Sequence, residues 1–273
     1  VIYKQSQVAS KYIRGLFGEN IFPNPKDVEV LQRWFEYIVE HPNEIVLDFF
    51  AGSGSTGDAV LRHNIENEGS NLRYIMVQLP ELLDPKVKDE KRACDFLEKI
   101  GKPHNIAEIT KERMRRVASK IKEENPDYQG DLGFKVFKLD TSNIKEWDGG
   151  PEDFQKSVED YVNQIKDDRT SMDILYEVML KSGIQLSADI EDINVGDNKI
   201  LLVDNCRLLA CLDSEIKSDA VADIASAIVE AKKANPDAEC MVLFLDNAFA
   251  DSSAKLNMSE TLKQDGFGNI RSI

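Results

Sequence analysis

The feature that most constrains the fold is a short apolar run that leads directly into a glycine-rich turn. Residues 45–47 (Ile-Val-Leu) are apolar and partly β-branched, which predicts a buried strand of a parallel sheet. Asp48 follows where the strand should end, and Gly52 and Gly54 then permit a turn with no side chains in the way. Because ligands of open α/β sheets bind at the carboxyl ends of the strands, this stretch predicts a ligand site.

The residues after the turn predict a helix. Ser55 or Thr56 is a suitable N-cap for the segment 58–63. A strand, a glycine turn and a helix N-terminus together form a binding site for a ligand. The backbone of the turn can approach the ligand closely, because glycine has no side chain. The alternative is a strand–turn–helix connection without a ligand, in which Asp48 only caps the helix.

The turn itself favours one class of ligand. Residues 52–57 (Gly-Ser-Gly-Ser-Thr-Gly) match the dinucleotide pattern G-x-G-x-x-G. Asp48 argues against a dinucleotide, because a carboxylate at the strand end repels a pyrophosphate but attracts a cationic amino group. S-adenosylmethionine, with its ammonium group at Asp48 and the rest of the molecule over the turn, therefore fits better than NAD.

The segment Asp48-Phe-Phe-Ala-Gly-Ser-Gly-Ser-Thr-Gly57 resembles the cofactor motif of amino-methylating DNA methyltransferases, in particular the modification subunits of type III restriction-modification systems. The segment 133–143 is similar to the same subunits. The resemblance implies that S-adenosylmethionine is the cofactor. The motif residues that it implies as cofactor-binding are Asp48, Phe49, Phe50, Ala51, Gly52, Ser53, Gly54, Ser55 and Thr56.

Three residues outside the motif complete the predicted site. The resemblance implies that Lys26 meets the cofactor's carboxylate, although Asp27 stands where the family often has proline. Residues 72–79 predict a second strand, after which nucleotide-binding βαβ units place an acidic residue that binds the ribose. Gln78 stands at that point and Glu81 three residues further on, so either is a candidate ribose partner.

Periodicity predicts the surrounding elements. Asn24 is a candidate N-cap, with Pro25 in the first helical position, for an amphipathic helix that ends before Pro42. Residues 82–103 are charged and predict a surface insertion. Residues 106–124 predict a helix whose apolar residues face inward and whose basic residues face outward. The inward set is Ile109, Met114, Val117 and Ile121, and the outward set is Lys111, Arg113, Arg115, Arg116, Lys120 and Lys122.

The fold class that we predict is α/β: part of a Rossmann-like methyltransferase sheet, followed by a small α/β C-terminal domain. An alternating strand at 132–140 closes the first domain (1–148), and residues 147–151 form the linker. The second domain (149–273) alternates short strands and helices. Asp246, at a strand end, is interpreted as a loop or capping residue.

The two predicted domains differ in net charge. The net charge is −15; residues 1–150 carry 22 Lys and Arg against 25 Asp and Glu, whereas residues 151–273 carry 12 against 24. Because DNA affinity depends largely on cations that neutralise phosphates, the second domain is a poor candidate for DNA contact. We expect it to serve protein–protein assembly. Four residues near the C-terminus are candidates for an exposed apolar patch, although core packing explains them equally well: Phe249, Leu256, Met258 and Leu262.

The segment that holds a target base is missing. Amino-methylating enzymes use an Asp/Asn-Pro-Pro-aromatic segment, and this sequence contains no Pro-Pro dipeptide. The resemblance therefore implies the C-terminal portion of an adenine methyltransferase subunit, with no catalytic residue in this chain. It also implies double-stranded DNA as substrate, bound mainly by the missing upstream part, with self-association and a restriction subunit as partners. A non-catalytic assembly module is the alternative.

Composition sets the remaining expectations. No apolar run is long enough for a membrane span, and no signal peptide opens the chain, so we expect a cytoplasmic protein. The four cysteines form no C-x-x-C pair, and with three scattered histidines they predict reduced thiols and no metal site.

Overall fold

The computed structural model describes residues 6–145 and 165–273 and has a mixed α/β architecture, as predicted. The chain divides into two compact units, Val1–Phe134 and Lys135–Ile273. The predicted linker 147–151 lies outside the described residues. The predicted domain boundary at 148 therefore stays a prediction.

The first unit is built around two parallel strands and five helices. Strands β1 and β2 pair in register, with Leu47 opposite Ile75, and the helix between them makes this a βαβ unit. The elements in chain order are α1 (Ser6–Phe17), α2 (Val28–Ile38), β1 (Ile45–Asp48), α3 (Ser55–Glu66), β2 (Arg73–Met76), α4 (Lys91–Lys99) and α5 (Ile106–Glu124).

The two faces of the β1–β2 sheet differ. Val46 and Tyr74 pack against apolar residues of α2 and α3. Ile45, Leu47 and Ile75 on the opposite face are 48%, 57% and 50% exposed. The predicted strand is therefore present, but the prediction that it is buried is wrong: Val46 is only partly buried, and Ile45 and Leu47 are about half exposed.

Two predictions about helices of the first unit were wrong. The N-cap of α2 is Asp27, whose side chain accepts from the amide of Val30, because Asn24 takes a left-handed conformation (φ 51°) and cannot start the helix. Residues 82–103 are not a surface insertion, because α4 lies within them and contributes to the core. Its buried residues are Ala93, Cys94, Phe96 and Leu97, of which three cluster with Ile13, Phe17, Ile21 and Ile109.

Helix α5 has the predicted bounds, and its four predicted inward residues are all buried. The predicted strand at 132–140 does not form. Alternation of apolar and polar residues indicates which side chains share a face, but a strand also needs a neighbouring strand to pair with. Val136 and Leu139 are instead 49% and 103% exposed.

The second unit is a five-stranded sheet with helices. Strand order follows chain order, antiparallel from β3 to β5 and parallel from β5 to β7. The elements are α6 (Ser171–Lys181), β3 (Ile190–Val195), β4 (Asn198–Val203), β5 (Leu208–Cys211), α7 (Val221–Ala234), β6 (Met241–Phe244), α8 (Ser252–Gln264) and β7 (Asn269–Ser272). A tight turn joins β4 and β5, with Asp204, Asn205 and Cys206 all left-handed.

The second unit has its own core. All residues of β5 and β6 are buried, and the core includes Ile224 and Ile228 of α7. Asp246 begins a short 3₁₀ turn and pairs with Lys255, as expected for a loop residue. The predicted apolar patch was wrong in two members: Met258 and Leu262 are 1% and 0% exposed, because they face this core, whereas Leu256 is 60% exposed.

Candidate cofactor site

The carboxylate of Asp48 lies at the end of β1 and closes the turn that follows. Its Oδ1 accepts from the amide of Phe50 at 3.0 Å, and its Oδ2 accepts from the hydroxyl of Thr56 at 2.5 Å. The side chain is only partly buried. A carboxylate has about four acceptor positions, so Asp48 serves the turn and retains capacity for a cationic group.

The turn is fixed on both sides of Gly52. The amide of Gly52 donates to Oε1 of Gln78 at 2.7 Å, and the Gln78 amide group donates to the carbonyl of Leu79. The carbonyl of Gly52 accepts from the hydroxyl of Thr110 at 2.5 Å. A residue that follows β2 and a residue of α5 therefore hold the two peptide groups on either side of the Gly52 Cα.

Two glycines at the start of α3 lie in close surroundings. Gly54 has φ 80°, which side chains rarely adopt, and a Cβ there would lie 3.2 Å from Cγ2 of Thr110. Gly57 lies in the first turn of α3, where a Cβ would lie 2.8 Å from Cε of Met76 and 2.9 Å from Sδ of Met114. Gly57, the last glycine of the G-x-G-x-x-G pattern, therefore allows α3 to pack closely on β2 and α5.

The N-terminus of α3 differs from the prediction that Ser55 or Thr56 caps it. Gly54 occupies the N-cap position and has no side chain to cap with. The Thr56 hydroxyl donates to Asp48, and the Ser55 hydroxyl accepts from Arg113. The first amides of α3 are therefore left without a side-chain cap and can donate to a ligand or to water.

Arg113 lies beneath the turn and is completely buried, at 0% exposure. Its Nε and Nη2 donate to Oδ2 of Asp58, at 3.1 and 2.9 Å. Its Nη1 donates to the Ser53 hydroxyl at 2.9 Å and to the Ser55 hydroxyl at 2.8 Å, and lies 3.3 Å from the Ser53 carbonyl. The guanidinium thus connects α3 with the glycine turn.

The second carboxylate oxygen of Asp58, Oδ1, accepts hydrogen bonds from two further side chains. Oδ1 accepts from Nε of Arg62 at 3.0 Å and from the hydroxyl of Tyr12 at 3.2 Å. Burial of the Tyr12 hydroxyl raises its pKa to about 12, and the negative charge of Asp58 is the second largest cause. The hydroxyl is therefore protonated at neutral pH and can donate. The completely buried Asp58 is therefore paired with two arginines, one on each oxygen.

The structure brings most of the predicted site residues together, but not all. Gln78 contacts the turn through Gly52, whereas Glu81 is exposed three residues further along. Lys26 is exposed directly before the N-cap of α2. Phe49 and Phe50 are 62% and 80% exposed, and Ala51 is buried. The assignment of these residues to a cofactor stays a prediction.

Sequence reasoning missed Thr110 and Arg113, and it placed Arg113 on the outer face of α5. That prediction was wrong because it followed residue type rather than position. Position 110 lies four residues from 106 and 114, and position 113 lies four residues from 109 and 117, so both are within the inward stripe of the helix. A charged residue inside an apolar stripe was the available signal for a buried partner, which is Asp58.

Comparison with known proteins supports the same interpretation of this site. Residues 3–81 match the protein family described as DNA methylase, a range that includes β1, the turn, α3 and β2. The chain is 28% identical over its whole length to the type III restriction-modification enzyme EcoP15I Mod subunit of Escherichia coli, of which it covers 38%. It is 35% identical over 131 residues to the StyLTI Mod subunit of Salmonella typhimurium, covering 48% of this chain and 18% of that subunit.

The chain is a relative of the type III modification subunits. A third relative, the EcoPI Mod subunit of Escherichia phage P1, is 31% identical over 131 residues, which are 48% of this chain and 18% of that subunit. The resemblance inferred from the motif is confirmed. The chain spans less than two fifths of the length of each of these curated relatives.

Two further properties bear on the class of site. Within residues 6–145 and 165–273, the structure groups no three His, Cys, Asp or Glu side chains so that they could hold a metal ion. In the same ranges no helix is both long enough and apolar enough to cross a membrane.

Proposed function

We propose that this chain is the cofactor-binding portion of a type III modification subunit, which transfers a methyl group from S-adenosylmethionine to the exocyclic amine of adenine in DNA. The observation that carries the proposal is the Asp48 carboxylate at the end of a parallel strand, beside a glycine turn and an uncapped helix N-terminus. The match to the DNA methylase family covers these elements.

The residues present fit the proposed cofactor. Asp48 supplies an anionic group for the cofactor's ammonium, and the left-handed turn at Gly52 and Gly54 lets the backbone approach it. Bound S-adenosylmethionine would supply an activated methyl group. Gln78 or Glu81 would bind the ribose and Lys26 the carboxylate; since Gln78 also holds Gly52, its loss would disturb the turn as well.

The β1–β2 pair is proposed to be part of a larger Rossmann-like sheet. Parallel sheets are normally covered on both faces, whereas Ile45, Leu47 and Ile75 are half exposed here. The relatives are more than twice as long as the stretch that matches. We therefore assign the missing strands and helices, together with the Asp/Asn-Pro-Pro-aromatic segment, to an upstream part of the protein.

The proposed partners follow from the relatives' names and the charge distribution. Double-stranded DNA would be bound mainly by the upstream part, because the residues after 150 carry twice as many acidic as basic side chains. Those residues would support self-association and contact with a restriction subunit. The alternative, a non-catalytic assembly module that keeps a methyltransferase-like fold, is favoured by the same acidic charge and by the absence of a Pro-Pro segment.

The test is transfer of a radiolabelled methyl group to unmethylated duplex DNA of mixed sequence. We expect the complete gene product to label N6 of adenine, and the 273-residue chain alone to give only background. Label on cytosine would contradict adenine as the target. No transfer by the complete product, with cofactor bound, would favour the assembly module.

A further inference from the structure

The side of the glycine turn that faces the protein interior is held by one arginine. Arg113 is completely buried, and all three of its guanidinium nitrogens donate hydrogen bonds. The two edges of the guanidinium have different partners: Nε and Nη2 bind Asp58 on α3, and Nη1 binds Ser53 and Ser55 of the turn. A planar fork of donors is suited to bridging two such acceptor groups, and a lysine ammonium is not.

We propose that Arg113 is a positioning residue for the cofactor turn, an inference that rests on the proposed function. The turn contains two glycines in left-handed conformations, Gly52 and Gly54, and glycine loses more conformational freedom on ordering than any other residue. The bonds from Nη1 to Ser53 and Ser55 restrain the backbone on both sides of Gly54.

Arg113 acts on a cofactor only through the turn. Its side chain is inaccessible, and its nitrogens are committed to Asp58, Ser53 and Ser55. The ion pair with Asp58 offsets the free-energy cost of burying the Arg113 guanidinium, since an unpaired buried charge is strongly destabilising. Thr110, one helical turn earlier on α5, binds the carbonyl of Gly52 from the same helix. Helix α5 therefore fixes the turn at two successive places.

The chain provides a matched control for this inference. Arg62 donates to the other oxygen of the same carboxylate and to the Tyr12 hydroxyl. Among the residues that the structure describes, its guanidinium binds Asp58 and Tyr12 and does not bind the turn. Replacing either arginine by lysine weakens the Asp58 network, but only Arg113→Lys removes the bonds to Ser53 and Ser55.

The experiment measures S-adenosylmethionine affinity by calorimetry for the complete gene product and four variants. These are Arg113→Lys, Arg62→Lys, Ser55→Ala and the double variant Arg113→Lys/Ser55→Ala. Thermal unfolding of each variant records the loss of stability. Hydrogen–deuterium exchange of the segment 48–57 without cofactor reports directly on the order of the turn.

We expect Arg113→Lys to weaken cofactor binding about tenfold and Arg62→Lys less than twofold. The double variant should bind no more weakly than Arg113→Lys alone, because both changes break the same contact. Exchange in 48–57 should be faster in Arg113→Lys than in Arg62→Lys.

Equal effects of the two arginine variants on affinity and on exchange would overturn the positioning role and leave Arg113 a residue of the core. Failure of the wild-type protein to bind S-adenosylmethionine would instead contradict the proposed function. In that case the exchange comparison alone decides whether Arg113 orders the turn.

Discussion

At the scale of single residues, the cofactor turn depends on contacts that residue type alone does not reveal. The sequence was sufficient to place Asp48 at a strand end, but it named Gln78 only as a candidate ribose partner and not as a contact of the turn. It was not sufficient to find Thr110 and Arg113, because their partners, Gly52 and Asp58, are more than 50 residues away in the chain. The sequence also assigned Ser55 and Thr56 to capping, whereas their hydroxyls bind Arg113 and Asp48.

Gly57 offers a prediction at this scale. A Cβ at position 57 would lie within 3 Å of Met76 and Met114, whereas one at Gly15, an exposed position of α1, would meet nothing within 4 Å. Overpacking costs about 1–3 kcal/mol, and alanine regains up to about 1 kcal/mol of helix propensity. In denaturant unfolding we therefore expect Gly57→Ala to lose about 1 kcal/mol and Gly15→Ala to gain up to about 1 kcal/mol. Changes of the same sign would contradict the packing described for α3.

At the scale of elements, periodicity predicted helices better than strands. Helix α5 matched its predicted bounds because its apolar stripe and its end at Asn125-Pro126 are local signals. The alternating segment 132–140 formed no strand, since pairing depends on a distant partner. Helix α4 was not predicted, because its many charged residues indicated an exposed segment. Its other face, which includes Phe96 and Leu97, is buried.

The open face of the β1–β2 sheet gives a prediction that compares two chain lengths. Leu47→Lys should change the stability of the 273-residue chain by less than about 0.5 kcal/mol, because the side chain is 57% exposed there. In the complete gene product the same change should cost about 2–4 kcal/mol, because the proposed larger sheet would bury this face. The control is Leu139→Lys, at a fully exposed position. Equally small effects in both chains would contradict a larger sheet.

Helix α6 gives a prediction of pH dependence. Burial raises the pKa of Glu177, but hydrogen bonds from Lys181, Ser142 and the amide of Asn143 outweigh it and lower the pKa from 4.5 to about 2. A lowered carboxyl pKa contributes stability that is present above pH 4.5 and is lost as the pH falls towards 2. Glu177→Gln should destabilise the second unit by about 1 kcal/mol at pH 7 and by less at pH 3. A loss that is the same at both pH values would contradict these contacts.

At the scale of the whole molecule, the two units divide the proposed tasks. The first unit carries the proposed cofactor motif, and its residues 3–81 match the DNA methylase family. The residues after 150 carry 12 basic against 24 acidic side chains, and their repulsion of a polyanion reaches about 10 Å at 0.1 M salt. The fold class and charge asymmetry were accessible from sequence, whereas the strand pairing of the second unit was not.

Removing residues 152–273 from the complete gene product tests this division. Light scattering should show loss of self-association, or a pull-down should show loss of the restriction subunit. Non-specific DNA affinity at low salt should be unchanged or higher, because an acidic segment is gone. Intact assembly together with abolished DNA binding would overturn the assignment.

The most direct test of the central claim is calorimetry of S-adenosylmethionine binding to the complete gene product, wild type against Asp48→Ala. The account predicts that the wild type binds S-adenosylmethionine and not NAD. Removing the carboxylate should cost about 2–5 kcal/mol of binding free energy, because the cofactor's ammonium loses its charged partner. Equal affinities of the two proteins for S-adenosylmethionine, or binding of NAD in its place, would contradict the claim.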